Sequence, residues 1–348
     1  APRGLAAEAD RLAARRAGER RAGEPPLHLA PPERGAARLR PWLRAVRPHQ
    51  WAKNLLLLLP LLAEHRSDPE VWALALTAAA AFCLVASSAY VVNDLFDLEA
   101  DRAHPRKRFR PFASGELSAA AGATGAPLLL AAGLALAASV SPLLLGVTAF
   151  YYGATLLYSM ALKRELVIDV CVLAGLYSLR LIAGAVAIDT RLSPWMLAFS
   201  AFIFLALGAM KRQTELVALT RGEAAGEAWS RAHPAGRARA RARRRRAEGR
   251  AYRAEDLPVV TMMAIGAGYT AVLVLALYIY SPSVRALYES PLILWGAPPI
   301  LLYWISRMVM IAHRGGMDDD PVLFALRDRI SYACALGIVV IAVAARSV

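Results

Sequence analysis

The sequence predicts an all-α, polytopic integral membrane protein, and three observations predict it. Of its 348 residues, 57% are hydrophobic and only 20% are charged, against roughly 45–50% and about 25% in soluble domains. The apolar residues gather into nine runs, each close to the roughly 20 residues that a helix needs to cross a hydrocarbon core of about 30 Å. The basic residues crowd into alternate connections between those runs, which is the asymmetry that orients membrane helices.

In chain order the expected spans are 42–63, 71–92, 119–140, 142–162, 167–188, 194–210, 259–280, 292–312 and 330–345. The first and sixth are the weakest. Arg44, Arg47 and Lys53 lie inside the first, so its N-terminal half is expected at the membrane interface. Alanines at 78–81 and the Ala-Ala-Gly at 131–133 supply small residues that let helices approach closely in lipid. The polar faces of a soluble bundle are nearly absent.

Lys and Arg number 41, and 35 of them fall in the N-terminal stretch 1–53 and the connections 93–118, 163–165, 211–257 and 313–329. The alternate connections hold three, and the rest lie in spans. With nine spans this places the N-terminus in the cytoplasm and the C-terminus outside a bacterial-type cytoplasmic (inner) membrane. It also accounts for the net charge of +14 without a nucleic-acid partner.

Other broad classes fall away. A wholly disordered chain is too poor in apolar residues to match this one. Cys83, Cys171 and Cys334 each sit in an apolar run and form no CxxC, so no disulfide or metal framework is expected. Residues 1–40, rich in Ala, Arg, Glu and Pro, read as a disordered cytoplasmic tail or linker before a membrane domain of 41–348. They lack the apolar h-region of a signal peptide. The Arg-rich stretch 221–253 reads as a solvated cytoplasmic insertion; contact with anionic headgroups is the functional alternative.

The chemistry is expected where the second span ends. Asn93, Asp97 and Asp101 recur at i, i+4, i+8, one stripe of a helix. Carboxylates there repel one another, and desolvating them costs several kcal/mol unless compensated. Mg2+ compensates well: it takes oxygen ligands, commonly one or two carboxylates plus substrate phosphates. Asp94 is a further candidate ligand. The plainer reading is an acidic helix end neutralised by Arg102, Arg106, Lys107 and Arg108. The basic run Lys107, Arg108, Arg110 follows directly, and metal beside a basic clamp is the build of a phosphate site. Other polar intrusions fall on the same expected side: Lys53 and Asn54; Tyr158, Ser159, Lys163 and Asp169; Lys211, Arg212 and Glu215; and Asp318 to Asp320 with Asp328. Arg180 lies deeper, within a span, where a charge reads as functional by default.

The pieces RPHQWAKN (47–54), YVVNDLFDLEADRAHPRKRFRP (90–111), YSMALK (158–163), LRLIAGAVA (179–187), KRQTEL (211–216) and ALRDR (325–329) together resemble the UbiA superfamily of intramembrane prenyltransferases. The finer resemblance is to the branch of decaprenyl-phosphate phosphoribosyltransferases. It covers residue 43 to the C-terminus. It implies a nine-helix bundle with a lipid-facing tunnel, a cytoplasmic active-site mouth, and Mg2+ at the first acidic motif. Many members carry a second DxxxD after the sixth span; Lys211, Arg212 and Glu215 stand there instead.

The resemblance therefore implies transfer of a phosphoribosyl group from phosphoribosyl diphosphate to a polyprenyl phosphate. Asn93, Asp94, Asp97 and Asp101 would bind Mg2+-diphosphate, and Lys107, Arg108 and Arg110 would hold phosphate oxygens. Lys53, Asn54, Tyr158, Lys163, Arg180, Lys211 and Arg212 would contact the second phosphate or the sugar, and Glu215 a ribose hydroxyl. A second copy of the chain is a further candidate partner. The competing expectations are prenyl transfer from a prenyl diphosphate to an aromatic or lipid acceptor, and a transporter or scaffold for anionic lipids.

Overall fold

The computed structural model describes residues 39–64, 66–103, 107–232, 252–285, 288–317 and 320–347, leaving aside the side chains of 222–232, 283 and 347. The expectations for residues 1–38, for most of the Arg-rich stretch, and for His104, Arg106, Asp318 and Asp319 lie outside the described residues.

Among the described residues every regular element is helical, and eight helices are long and apolar enough to cross a membrane. They are α1 (Pro69–Phe96), α2 (Ala119–Val140), α3 (Pro142–Met160), α4 (Ile168–Ala187), α5 (Pro194–Ala232), α6 (Leu257–Tyr280), α7 (Ala297–His313) and α8 (Arg329–Ser347). Their starts are written locally. Asp68 accepts from Glu70 N ahead of Pro69, Ser118 accepts from Ala121 N, and Ser141 accepts from Leu144 N ahead of Pro142. Proline at the first helical position loses no intrahelical bond, and a short polar cap satisfies an orphan amide.

The first expected span, 42–63, is not one helix. It runs as a helix Leu39–Val46, a 3-10 segment Pro48–Leu58 and a short helix Leu59–Ala63. Arg47 turns the chain at φ 54, and Pro48 and Pro60 each remove a backbone donor. Irregular backbone at membrane depth is tolerated where protein covers it. Here α4 covers it so closely that a Cβ on Gly184 would lie 2.0 Å from the Leu57 carbonyl oxygen.

Two apolar cores share α4. One joins Val85, Phe82 and Ala81 of α1, Leu144 and Tyr151 of α3, and Leu176 and Ala183 of α4, with Leu57 beside them. The other joins Tyr177 and Leu181 of α4 to Phe204 and Met210 of α5, Ala264 of α6, and Ile305 and Met308 of α7. The polar ends of α1, α3, α4 and α5 thus meet around one mouth.

Candidate active site

The acidic motif closes α1. The helix ends at Phe96, Asp97 breaks it with φ −89 and ψ 9, and a second short helix runs over Leu98–Arg102. The bonds Asp97 N to Asn93 O (2.9 Å) and Asp101 N to Asp97 O (2.8 Å) carry the helical stagger across the break. The break at Asp97 bends the expected stripe into a ridge with two faces and turns Asp101 away from Asn93 and Asp97.

Asp94 and Asp101 form the buried face. Arg110 Nη1 donates to Asp94 Oδ1 at 3.1 Å and to Asp101 Oδ2 at 2.6 Å. Arg47 pairs with Asp94 as well, and Lys107 Nζ lies 3.8 Å from Asp101. Asn93 and Asp97 form the open face. Asn93 Nδ2 donates to Ser159 Oγ at 3.0 Å, and Lys163 Nζ stands 3.8 Å from Asp97, whose side chain is 41% exposed. Arg108, expected to hold phosphate oxygens, is exposed and lies over the Phe109 ring at 4.9 Å.

Beside the ridge, across Tyr158 and Ser159, stands a second cluster in which cations are paired with carboxylates. Arg212 uses its whole guanidinium: Nε to Asp169, Nη1 to Glu215 Oε2 at 2.6 Å, and Nη2 to Tyr158 Oη at 3.2 Å. Lys53 pairs with Asp320, 267 positions away in sequence. Burial alone would raise the Asp320 pKa; the Lys53 ammonium and its hydrogen bond outweigh burial and hold it below the usual carboxylate value. Lys211 lies within electrostatic reach of Glu215, Lys53, Asp320 and Arg212.

Arg180 is buried below this cluster. Nε donates to Asn54 Oδ1 at 3.0 Å, Nη1 to Leu176 O at 2.7 Å and Nη2 to Tyr151 Oη at 2.7 Å. The Tyr151 and Tyr177 rings cover it at 4.9 and 5.1 Å. Asn54 also donates to Cys83 Sγ at 3.3 Å. Arg180 and Asn54 thus brace each other, and the guanidinium is satisfied without substrate.

Among the described residues no three His, Cys, Asp or Glu side chains gather closely enough to enclose a metal ion. The donors nevertheless suit Mg2+. All are oxygens, and Asp97 stays open at the mouth. A magnesium ion completed by substrate phosphates needs only one or two carboxylates.

Sequence reasoning passed over four residues of this mouth. Arg47 was read as an interfacial charge, and the rings of Tyr151 and Tyr177 vanish into apolar runs. Tyr252, within the stretch 221–253 that was read as solvated, is instead buried and donates to Asp169.

The bundle thus gathers carboxylates and cations from the ends of several helices around one polar mouth. Residues 55–219 match the UbiA prenyltransferase family. The chain is 37% identical over 298 residues to nodulation protein NoeC of Azorhizobium caulinodans, covering 85% of this chain and 90% of that protein. It is 43% identical over 179 residues to decaprenyl-phosphate phosphoribosyltransferase of Mycolicibacterium smegmatis, but the match spans only 50% of this chain and 56% of that enzyme. In structure it resembles a UbiA homolog from Archaeoglobus fulgidus bound to GPP and Mg2+, with TM-score 0.59, 15% identity, and coverage of 87% of this chain and 99% of the other. The chain belongs to the UbiA prenyltransferase family and is a membrane-embedded transferase.

Proposed function

We propose that the enzyme transfers a phosphoribosyl group from phosphoribosyl diphosphate to a polyprenyl phosphate and releases diphosphate. The observation that carries this reading is that Lys211 and Arg212, with Lys53 beside them, stand where many family members carry a second acidic motif. Asp320, Asp169 and Glu215 balance these cations in the absence of substrate, and an acceptor that is itself a phosphate can take the place of one of those carboxylates. The stretch shared with the mycobacterial enzyme supports the same chemistry.

In this reading Asn93 and Asp97 would hold Mg2+ at the open face, and Asp101 and Asp94 would join them only if Arg110 and Arg47 release those carboxylates to bind the donor phosphates. The ion when bound neutralises the departing diphosphate. Lys107, Arg110 and Lys163 hold phosphate oxygens of the donor on that side. Arg108 contributes only if the Lys107–Phe109 turn moves. Lys53, Lys211 and Arg212 receive the acceptor phosphate, while Tyr158 and Glu215 orient Arg212 and face the sugar hydroxyls. Arg180 and Asn54 support this cluster from beneath. The lipid phosphate oxygen attacks the anomeric carbon as the bond to diphosphate breaks. That oxygen is already ionised at neutral pH, so no general base is required. By the basic-residue asymmetry the mouth faces the cytoplasm, as does the N-terminus, and the C-terminus lies outside.

The test offers the full chain in lipid labelled phosphoribosyl diphosphate with polyprenyl phosphate and Mg2+, and separately a labelled prenyl diphosphate with an aromatic acceptor. Label entering the lipid from the first donor supports the reading. Turnover of the second alone replaces it with prenyl transfer.

A further inference from the structure

Residues Leu166 to Ile168 form a tight turn immediately before α4. Ile168 N donates to Leu166 O at 2.7 Å, and Val167 at its centre has φ 66 and ψ −41. This is the positive-φ γ-turn, which is rare and strained. For a β-branched residue positive φ is a genuine outlier. Such strain persists only where its surroundings over-determine it, and it gathers at functional sites.

What holds this turn is Tyr252. Its hydroxyl accepts from Val167 N at 3.0 Å and donates to Asp169 Oδ1 at 2.7 Å. Asp169 is fully buried, and its other oxygen accepts from Arg212 Nε. One hydroxyl therefore fixes both the turn and the carboxylate that aims Arg212. Burial raises the Tyr252 pKa first, and the bond to Asp169 adds to it, so the hydroxyl keeps the proton it donates. The ring is itself buried and packs in the core shared by α4, α5, α6 and α7.

We infer that Tyr252 is a positioning residue for the transferase reaction: through Asp169 it sets the angle at which Arg212 presents its guanidinium to an anionic substrate. This rests on Arg212 facing substrate, as proposed above, and the experiment separates the two.

The test uses the full chain in lipid, with whichever donor and acceptor the wild type turns over. Arg212→Lys first identifies the substrate whose KM that residue controls. Tyr252→Phe keeps the ring and removes the hydroxyl. It is expected to raise the KM of that same substrate about fivefold, the worth of one hydrogen bond of roughly 1 kcal/mol. The other KM should hardly move, and the unfolding temperature in detergent should fall by only a few degrees, as the buried partners of the lost hydroxyl go unpaired. Asp169→Asn should raise the same KM. In the Arg212→Lys background Tyr252→Phe should add nothing further, because the group it aims is gone. A Tyr252→Phe enzyme with unchanged KM values, one that loses only kcat, or one whose effect adds fully to Arg212→Lys overturns the inference. An Arg212→Lys enzyme with wild-type kinetics overturns the site reading, and the inference with it.

Discussion

Asp94 and Asp101 share a single nitrogen: Arg110 Nη1 bonds to both, at 3.1 and 2.6 Å. Seven positions apart on a bent helix end, the two carboxylates are 3% and 2% exposed and would repel each other without that cation. The acidic motif thus has a structural half, clamped by arginine, and an open half, Asn93 and Asp97, beside Lys163.

Removing the clamp leaves Asp101, among the described residues, with Lys107 at 3.8 Å, while Asp94 keeps Arg47. Breaking a buried pair costs up to about 3–5 kcal/mol; Arg110 is partly exposed, so Arg110→Ala should cost about 2–3 kcal/mol. Adding Asp101→Asn should return part of that loss, because the stranded charge is gone. Denaturant unfolding of the three variants in detergent measures both effects. A double variant no more stable than Arg110→Ala contradicts the assignment.

In the proposed reading Asp97 carries chemistry rather than stability. Its partner, Lys163, is 3.8 Å away and its side chain is 41% exposed. Asp97→Asn should lower kcat by about 100-fold or more, in the range seen when a preorganised electrostatic group is lost, with little change in unfolding temperature. EDTA should stop turnover of the wild type, and added Mg2+ should restore it. Turnover that persists through chelation would remove the metal from the account.

The broken first segment depends on a glycine. A Cβ at Gly184 would meet the Leu57 backbone oxygen at 2.0 Å, whereas one at Gly175 on the same helix meets nothing within 4 Å. Gly184→Ala should therefore cost about 3 kcal/mol, the upper part of the overpacking range, because backbone must move. It should also weaken activity, since Lys53 and Asn54 ride on the displaced segment. Gly175→Ala is the control, and equal behaviour of the two would contradict the close packing.

Asp328 gives a pH dependence with a defined sign. Arg307 bonds to it through two nitrogens at 2.7 and 3.0 Å. That hydrogen bonding, against a smaller opposing effect of burial, takes its pKa from 3.8 to about 2. A depressed folded pKa contributes stability that is full above the unfolded value and fades as pH falls through the folded one. The unfolding-temperature gap between wild type and Asp328→Asn should be constant from neutral pH to about 4 and vanish as pH falls through about 2. A gap that persists below pH 2 would show that the ion pair is not its source.

The long helices were legible because apolar runs of bilayer length admit few other folds, and the ridge from Asn93 to Asp101 because its spacing is local. The break at Arg47 was not. That segment reads as apolar in a linear scan, and its 3-10 course is imposed by Gly184 and by Asn54 bonding to Arg180. The first expected span is for that reason three short elements, beside eight long helices among the described residues. Pairings such as Lys53 with Asp320, and Tyr252 with Asp169, join segments far apart in sequence, and no local pattern announces them. Arg212 was expected to meet substrate directly, yet its donors already serve Asp169, Glu215 and Tyr158. In the proposed reading it would bind an anion by exchanging one of those partners.

Phosphorus NMR of the full chain in lipid, with phosphoribosyl diphosphate, polyprenyl phosphate and Mg2+, follows every phosphate at once. Phosphoribosyl transfer predicts that the lipid phosphomonoester signal declines while a phosphodiester signal and free diphosphate rise in equal amounts, with the sugar's own phosphomonoester retained. A lipid phosphomonoester that stays unchanged, while a prenyl diphosphate supplied in its place is consumed, would contradict it.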